Sequence, residues 1–298
     1  MGQLMIELSQ IDPEKPILIY GPTASGKSGL ALAIAQHQGG VIINADALQT
    51  YQGWPILTAQ PPCADLERIP HYLYGHLAND APYSVGDWLR DVAPFLTRPC
   101  RNKTRPIIVG GTGLYFTALT EGLAEIPPTP AHIRAEANSI VLLDLVSALD
   151  TATASVLDLN NRARVQRAWE VQKTTGRSIR DWQNETPPPL LALNDCTALA
   201  LMPDVDWLNS RIKKRYNMMM NAGAMVEAKA MLQQWDPTAP SSKAIGAAEM
   251  IQLLGGDITQ DTARELIINS TRKYAKRQRT WVRSRMKRWQ IVALPKVD

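Results

Sequence analysis

Cysteine is scarce in this chain. Its 298 residues include three, Cys63, Cys100 and Cys196, far apart and odd in number. That argues against a disulfide framework and points to a reducing compartment. No CxxC pair occurs, and the four histidines lack metal-like spacing, so structural zinc is not expected either. Long apolar runs are also missing. No stretch approaches the roughly 18 uncharged apolar residues of a membrane span, so no membrane partner is expected. The opening MGQLMIELSQIDPEKP has no long apolar core and carries acids before Lys15, unlike a secretory signal. A cytoplasmic protein is the resulting expectation. Hydrophobic residues make up 45% and charged residues 20% of the chain, ordinary for a globular protein with a core.

Acidic residues are absent from one long segment. Arg272 to Arg288 holds nine basic residues and no acid. Tyr274, Val282 and Met286, with Trp281 and Trp289 beside them, form an apolar stripe that anchors a helix and leaves its other faces cationic. An exposed helix face normally mixes signs, so an all-positive one reads as a contact for nucleic-acid phosphates. Arg211, Lys213, Lys214 and Arg215 form a second basic cluster.

The strongest local pattern is Gly21-Pro22-Thr23-Ala24-Ser25-Gly26-Lys27-Ser28, a G-x-x-x-x-G-K-S phosphate loop. Glycines let such a loop turn its N–H groups inward, where they and the following helix N-terminus cradle anionic oxygens. Lys27 adds a point charge and the Ser28 hydroxyl can hold Mg²⁺. Three apolar runs, Ile17–Tyr20, Val41–Ile43 and Ile107–Val109, each end in a small or polar turn, and segments such as Ser28–Gln36 and Val85–Leu96 carry helical patterning. Alternating strand and helix means a parallel sheet with both faces covered. Ligands bind beyond the carboxyl ends of such strands, so the three following loops should converge. The second loop brings Asp46, a metal ligand or general base, and the third brings Thr112 within Gly110-Gly111-Thr112-Gly113, where glycines imply close approach of the backbone to something.

Two proline clusters, Ile126–Pro130 and Thr186–Pro189, bound a stretch that reads as helical from Ala131 to about Gln183. The expected architecture is α/β: a P-loop NTPase-like parallel sheet flanked by helices, formed by residues 1–125 and 190–298, with a small all-helical insertion at 126–189. Thr197–Met202 should return to the sheet, and Gln290–Leu294 should form an edge strand. From the residues alone, three readings stand: a small-molecule kinase, an enzyme joining a phosphorylated small molecule to a nucleic acid, and a non-enzymatic nucleic-acid switch.

Taken together and in order, GPTASGKS (21–28), NADALQTY (44–51), VGGTGLYF (109–116), NNRARVQRAWEVQKTTG (160–176), LNSRIKKR (208–215), SSKAIGAAE (241–249) and YAKRQRTWVR (274–283) resemble the bacterial tRNA isopentenyltransferase family, along nearly the full chain. The resemblance implies that the loop holds dimethylallyl diphosphate rather than ATP. The dimethylallyl group then passes to N6 of the adenine next to the third anticodon base of a tRNA. It implies Asp46 as base, Thr112 beside the reacting groups, Lys27 and Arg211 on the diphosphate, and Mg²⁺ at Ser28. For tRNA it points to Asp46, Ala47, Leu48 and Gln49, to Thr112, Arg134 and Arg277, to Ala163, Arg164, Val165, Gln166 and Arg167, and to Lys243. An adenylate isopentenyltransferase is the nearest alternative, and the helical insertion and basic helix, which a free nucleotide does not need, favour tRNA. A monomer is expected. The chain departs from the family pattern at Ala47, where serine is usual, and at Ala247-Ala248, which replace an aromatic and a basic residue.

Overall fold

The computed structural model describes residues 11–97 and 105–294; Cys100 and the N-terminal segment lie outside them. Six strands form one parallel sheet in the order β3-β2-β4-β1-β5-β6. They are β1 (Ile17–Tyr20), β2 (Val41–Asn44), β3 (His71–Tyr72), β4 (Pro106–Gly110), β5 (Thr197–Pro203) and β6 (Gln290–Leu294). Side chains alternate across the sheet. Ile17, Ile19, Ile107 and Val109 pack with Leu30, Ala31 and Ile34 of α1 (Lys27–Gln38). Leu18, Tyr20, Ile43 and Ile108 face the other way. There they meet Trp88 and Val92 of α4 (Val85–Leu96) and Tyr115, Phe116 and Leu119 of α5 (Gly113–Glu121). Both faces are dry, which is why the strands read as unbroken apolar runs.

Register positions the loops. Tyr20 pairs with Gly110 and Asn44 with Val109, so β1, β4 and β2 end side by side and their loops begin together. The first short helices, α2 (Pro55–Thr58) and α3 (Cys63–Leu66), follow β2. A second apolar cluster joins Trp54 and Leu57 to α11 (Val205–Asn221), α12 (Ala224–Leu232), α13 (Ala247–Gly255) and α14 (Gln260–Arg285).

The chain divides into two compact units, 1–120 with 190–298, and 121–189. The smaller unit is five helices rather than one continuous run: α6 (Ala131–Ser139), α7 (Leu142–Ser147), α8 (Thr151–Ala154), α9 (Arg162–Thr175) and α10 (Ile179–Asn184). Asp150, Asn161 and Ser178 each cap a new start by accepting from a backbone N–H, and Gly176 closes α9 in the left-handed conformation. Ile133, Ala137, Leu145, Val165 and Trp169 fill its core.

Candidate active site

The phosphate loop runs from the end of β1 into α1. Ser25 N–H closes it by donating to Pro22 O at 3.1 Å. Ala24 sits at φ 64°, a left-handed conformation that costs an alanine about 1–2 kcal/mol. Its carbonyl is engaged: Arg211 Nε donates to Ala24 O at 2.9 Å, while the guanidinium lies over the Trp207 ring at 4.7 Å. Arg211 thus reaches the loop from α11, one helix away from the sheet.

Asp46 follows β2 and is fixed by its neighbours. Its N–H donates to Asn44 Oδ1 at 2.8 Å, Asn44 Nδ2 donates to Asp46 O at 2.9 Å, and Leu48 N–H donates to Asp46 Oδ1 at 3.1 Å. Behind Asn44, Trp88 Nε1 donates to its carbonyl at 2.8 Å, with the indole stacked on Tyr115. Thr112 Oγ1 accepts from Ala47 N–H at 2.9 Å, and Thr112 N–H donates to Ala45 O at 3.2 Å. The second and third loops are therefore zipped together. The Ala47 methyl packs against the core, where nothing hydrogen-bonds it.

What the Gly-Gly-Thr-Gly turn approaches is the protein itself. A Cβ at Gly110 would strike the Ala45 backbone, one at Gly111 the Gln278 amide, and one at Gly113 the Trp281 indole. Gln278, on α14, donates from Nε2 to Gly111 O at 2.9 Å and accepts the Thr23 N–H at Oε1 at 2.8 Å. The Tyr274 hydroxyl faces the Thr112 side chain. Tyr274 thus belongs to the rim of the site, while Ala275, Gln278 and Val282 make the buried stripe.

A cavity of about 410 Å³ opens between these loops. Lys27, Ser28, Asp46, Arg211, Lys214 and Arg215 line one part of it. Leu32, Ile42, Pro61, Pro62, Tyr74 and Met218 supply apolar lining, and Asp65, His71, Gln49 and Gln60 line it too. Burial pulls the Lys27 ammonium down to about 8; Asp46 opposes this and Arg215 adds to it. Arg215 is likewise lowered by burial against the pull of Asp46, and its Nη2 donates to Leu57 O at 3.1 Å. Burial, aided by Asp46, pushes the Tyr20, Tyr74 and Tyr274 hydroxyls above their usual range. Two half-buried cations with one carboxylate between them leave room for an anion. Thr112 is not among the cavity-lining residues and stands behind Asp46.

Met218 is 69% exposed at the cavity, whereas Met219 is buried. Tyr74, His71 and Gln60 were not singled out for this site from sequence, and neither was Gln278. The signal for Gln278 was available: it stands i+3 and i−4 from Ala275 and Val282 on the buried stripe.

Along α14, Lys273, Lys276, Arg277, Arg283 and Arg285 are exposed, and Arg277 lies over the Tyr274 ring at 5.4 Å. Lys243 is exposed in a short 3-10 turn at Pro240–Lys243. Ala247 is fully buried and Ala248 exposed. In the helical unit, Glu170 is buried and gathers several of the sequence-predicted residues. Arg134 pairs with it at 3.5 Å and Gln166 Nε2 donates to it at 3.0 Å. Arg167 donates to Thr129 Oγ1 at 2.6 Å; burial lowers its guanidinium below the usual range, which Glu170 opposes and Arg134 reinforces. Ala163 and Arg164 are exposed, but Val165 is fully buried. Its side chain is a core packing group, which corrects its reading as a tRNA contact: an α-helix that presents residues 163, 164 and 167 outward must turn one of its positions into the core.

Residues 49–285 match the family model for IPP transferase, and residues 15–73 that for isopentenyl transferase. The chain belongs to the IPP transferase family. A tRNA dimethylallyltransferase of Ruegeria sp. (strain TM1040) is 54% identical over 97% of this chain and 99% of its own length. Among solved structures, the full-length tRNA isopentenylpyrophosphate transferase of Bacillus halodurans aligns with a TM-score of 0.68 at 30% identity, covering 96% of this chain and 91% of that one. A eukaryotic dimethylallyltransferase acting on tRNA aligns with a TM-score of 0.78 at 25% identity, covering 94% and 74%. Relatives of this family therefore share both the sheet and the added helices.

Proposed function

We propose that this chain transfers a dimethylallyl group from dimethylallyl diphosphate to N6 of the adenine next to the third anticodon base in tRNA, releasing diphosphate. The observation that carries this reading is one cavity holding a phosphate loop and four cations, with Asp46 beside Lys27 and Arg215, in a chain alike end to end to tRNA dimethylallyltransferases. The loop N–H groups, Lys27, Arg211 and Arg215 would bind the diphosphate, and the apolar wall of Leu32, Ile42 and Tyr74 suits a five-carbon chain. N6 attacks the primary allylic carbon, the carbon–oxygen bond breaks, and the electron pair leaves with diphosphate. Cations fixed where that charge develops lower the barrier without reorganising. Asp46 takes the N6 proton as the bond forms. Thr112 orients the Asp46 loop through Ala47 N–H.

Mg²⁺ fits the donors here. Ser28 and Asp46 offer hard oxygens on the cavity wall. Among the described residues no group of three or more His, Cys, Asp or Glu could hold a metal. An ion bound chiefly by substrate phosphates needs only one or two protein oxygens. When bound it neutralises charge on the leaving diphosphate.

For tRNA, the exposed basic residues of α14, with Lys243, Arg134, Ala163, Arg164, Gln166 and Arg167, form the proposed contacts, the last set on the 121–189 insertion. Proteins read single-stranded loops in RNA by drawing bases out of the stack, which is what N6 attack requires. No described helix is long and apolar enough to cross a membrane, and a cytoplasmic monomer acting on tRNA fits this reading. The test is turnover with radiolabelled dimethylallyl diphosphate and Mg²⁺, offering an anticodon stem-loop or AMP. Label in the stem-loop without ATP is expected. Label in AMP alone would move the chain to the nucleotide-prenylating relatives, and ATP consumption without label transfer would restore the kinase reading.

A further inference from the structure

Helix α14 has two faces with different tasks. On the inner face, Tyr274, Gln278 and Trp281 stand at i, i+4 and i+7 and meet three consecutive residues of the turn after β4: Thr112, Gly111 and Gly113. On the outer face, Lys273, Lys276, Arg277 and Arg283 are exposed, and no acid interrupts residues 272–288. A straight helix moves as one body, so whatever fixes the outer face fixes the inner one.

The inner face makes a single polar bridge between the two substrate loops. Gln278 is 3% exposed, and burying an amide is costly unless both of its ends are paired. Here both are. Oε1 accepts from Thr23 N–H of the phosphate loop at 2.8 Å, and Nε2 donates to Gly111 O of the Thr112 turn at 2.9 Å. The Tyr20 hydroxyl adds a bond to the Gln278 carbonyl at 3.3 Å. No other side chain of this length accepts at one end and donates at the other. Glutamate has no donor, methionine has neither function, and asparagine is one methylene too short.

We propose that Gln278 is a positioning residue through which RNA bound on the basic face of α14 and diphosphate bound in the phosphate loop strengthen each other. This rests on the transfer reading above. RNA that docks on α14 holds Gln278, and with it Thr23 and Gly111, in the arrangement that receives diphosphate. Diphosphate that orders the loop returns the effect to the helix, because coupling free energy is reciprocal.

The experiment measures the Kd of inorganic diphosphate with Mg²⁺, with and without a saturating anticodon stem-loop, and the Kd of the stem-loop with and without diphosphate. The wild-type protein should show each ligand tightening the other by at least about fivefold. Gln278→Met, equal in length and apolar, should bind the stem-loop alone as the wild type does but show a coupling factor near one. Its kcat should fall while its KM for the stem-loop holds. Gln278→Glu keeps the acceptor and loses the donor, and serves if the methionine variant does not fold; it too should lose coupling. A merely structural glutamine would lower melting temperature and all affinities together, and that pattern overturns the proposal. So does either variant with wild-type coupling. Wild-type protein that binds both ligands independently overturns the coupling and leaves the transfer reading standing. Wild-type protein that binds neither overturns both.

Discussion

Lys27 makes a quantitative prediction about pH. In the free protein its ammonium sits at about 8, pulled down from an ordinary 10.5 chiefly by burial. Bound diphosphate supplies the opposite charge that burial withholds, so the bound lysine keeps its proton well above that pH. Binding is then linked to protonation. The charged fraction of Lys27 falls from about nine-tenths at pH 7 to about one-tenth at pH 9. Affinity for dimethylallyl diphosphate should weaken about tenfold over that interval, about 1.4 kcal/mol. Isothermal titration without an acceptor, at pH 7, 8 and 9 with fixed free Mg²⁺, reads this directly. Lys27→Met should bind more weakly throughout and lose the slope, which separates the lysine from titration of the ligand. The stability contribution of Lys27 has the opposite sign. Its folded pKa lies below the unfolded one, so between about 8 and 10.5 the unfolded chain holds more protons and stability rises with pH. A wild-type affinity flat from pH 7 to 9, or a slope retained in Lys27→Met, would refute the reasoning.

Three other substitutions probe separate links. Asp46→Asn should lower single-turnover transfer by about 10²–10⁴, the usual worth of a general base, with stem-loop binding retained. Lys276→Ala with Arg277→Ala should weaken stem-loop binding regardless of loop sequence and reduce the slope of log K against log salt by about 1.4–1.8, checked by fluorescence titration at several salt concentrations. Gly111→Ala forces a methyl into the Gln278 amide and should destabilise by about 1–3 kcal/mol in urea melts, as overpacking does.

The strands β1, β2 and β4 were legible because each is buried along its length and ends at a glycine or polar turn. Val85–Leu96 and Gln290–Leu294 form a helix and an edge strand with the expected limits. β3 escaped because two residues carry no periodicity. Within the helical insertion the break at Ile140 and Val141 was not legible because both are ordinary side chains in extended backbone, whereas the later breaks fall at the capping residues Asp150, Asn161, Gly176 and Ser178. At the site, Lys27, Asp46 and Thr112 stand out locally, Lys27 at the start of the helix after β1 and the other two just past β2 and β4. Gln278 does not: among nine basic residues a glutamine looks solvated, and its spacing to Ala275 and Val282 is the one local sign that it turns inward to Thr23 and Gly111. Val165 shows the converse, since a motif marks its whole helix turn while burial chooses which side chains face out.

The central claim is that a phosphate loop here serves carbon–oxygen cleavage. Dimethylallyl diphosphate carrying ¹⁸O in the bridging carbon–oxygen–phosphorus position, incubated with protein, Mg²⁺ and stem-loop, tests it most directly. Mass spectrometry of the products should find one labelled diphosphate for each prenylated adenine. Labelled dimethylallyl monophosphate with free phosphate would mean that a phosphorus–oxygen bond breaks instead, and would contradict the account.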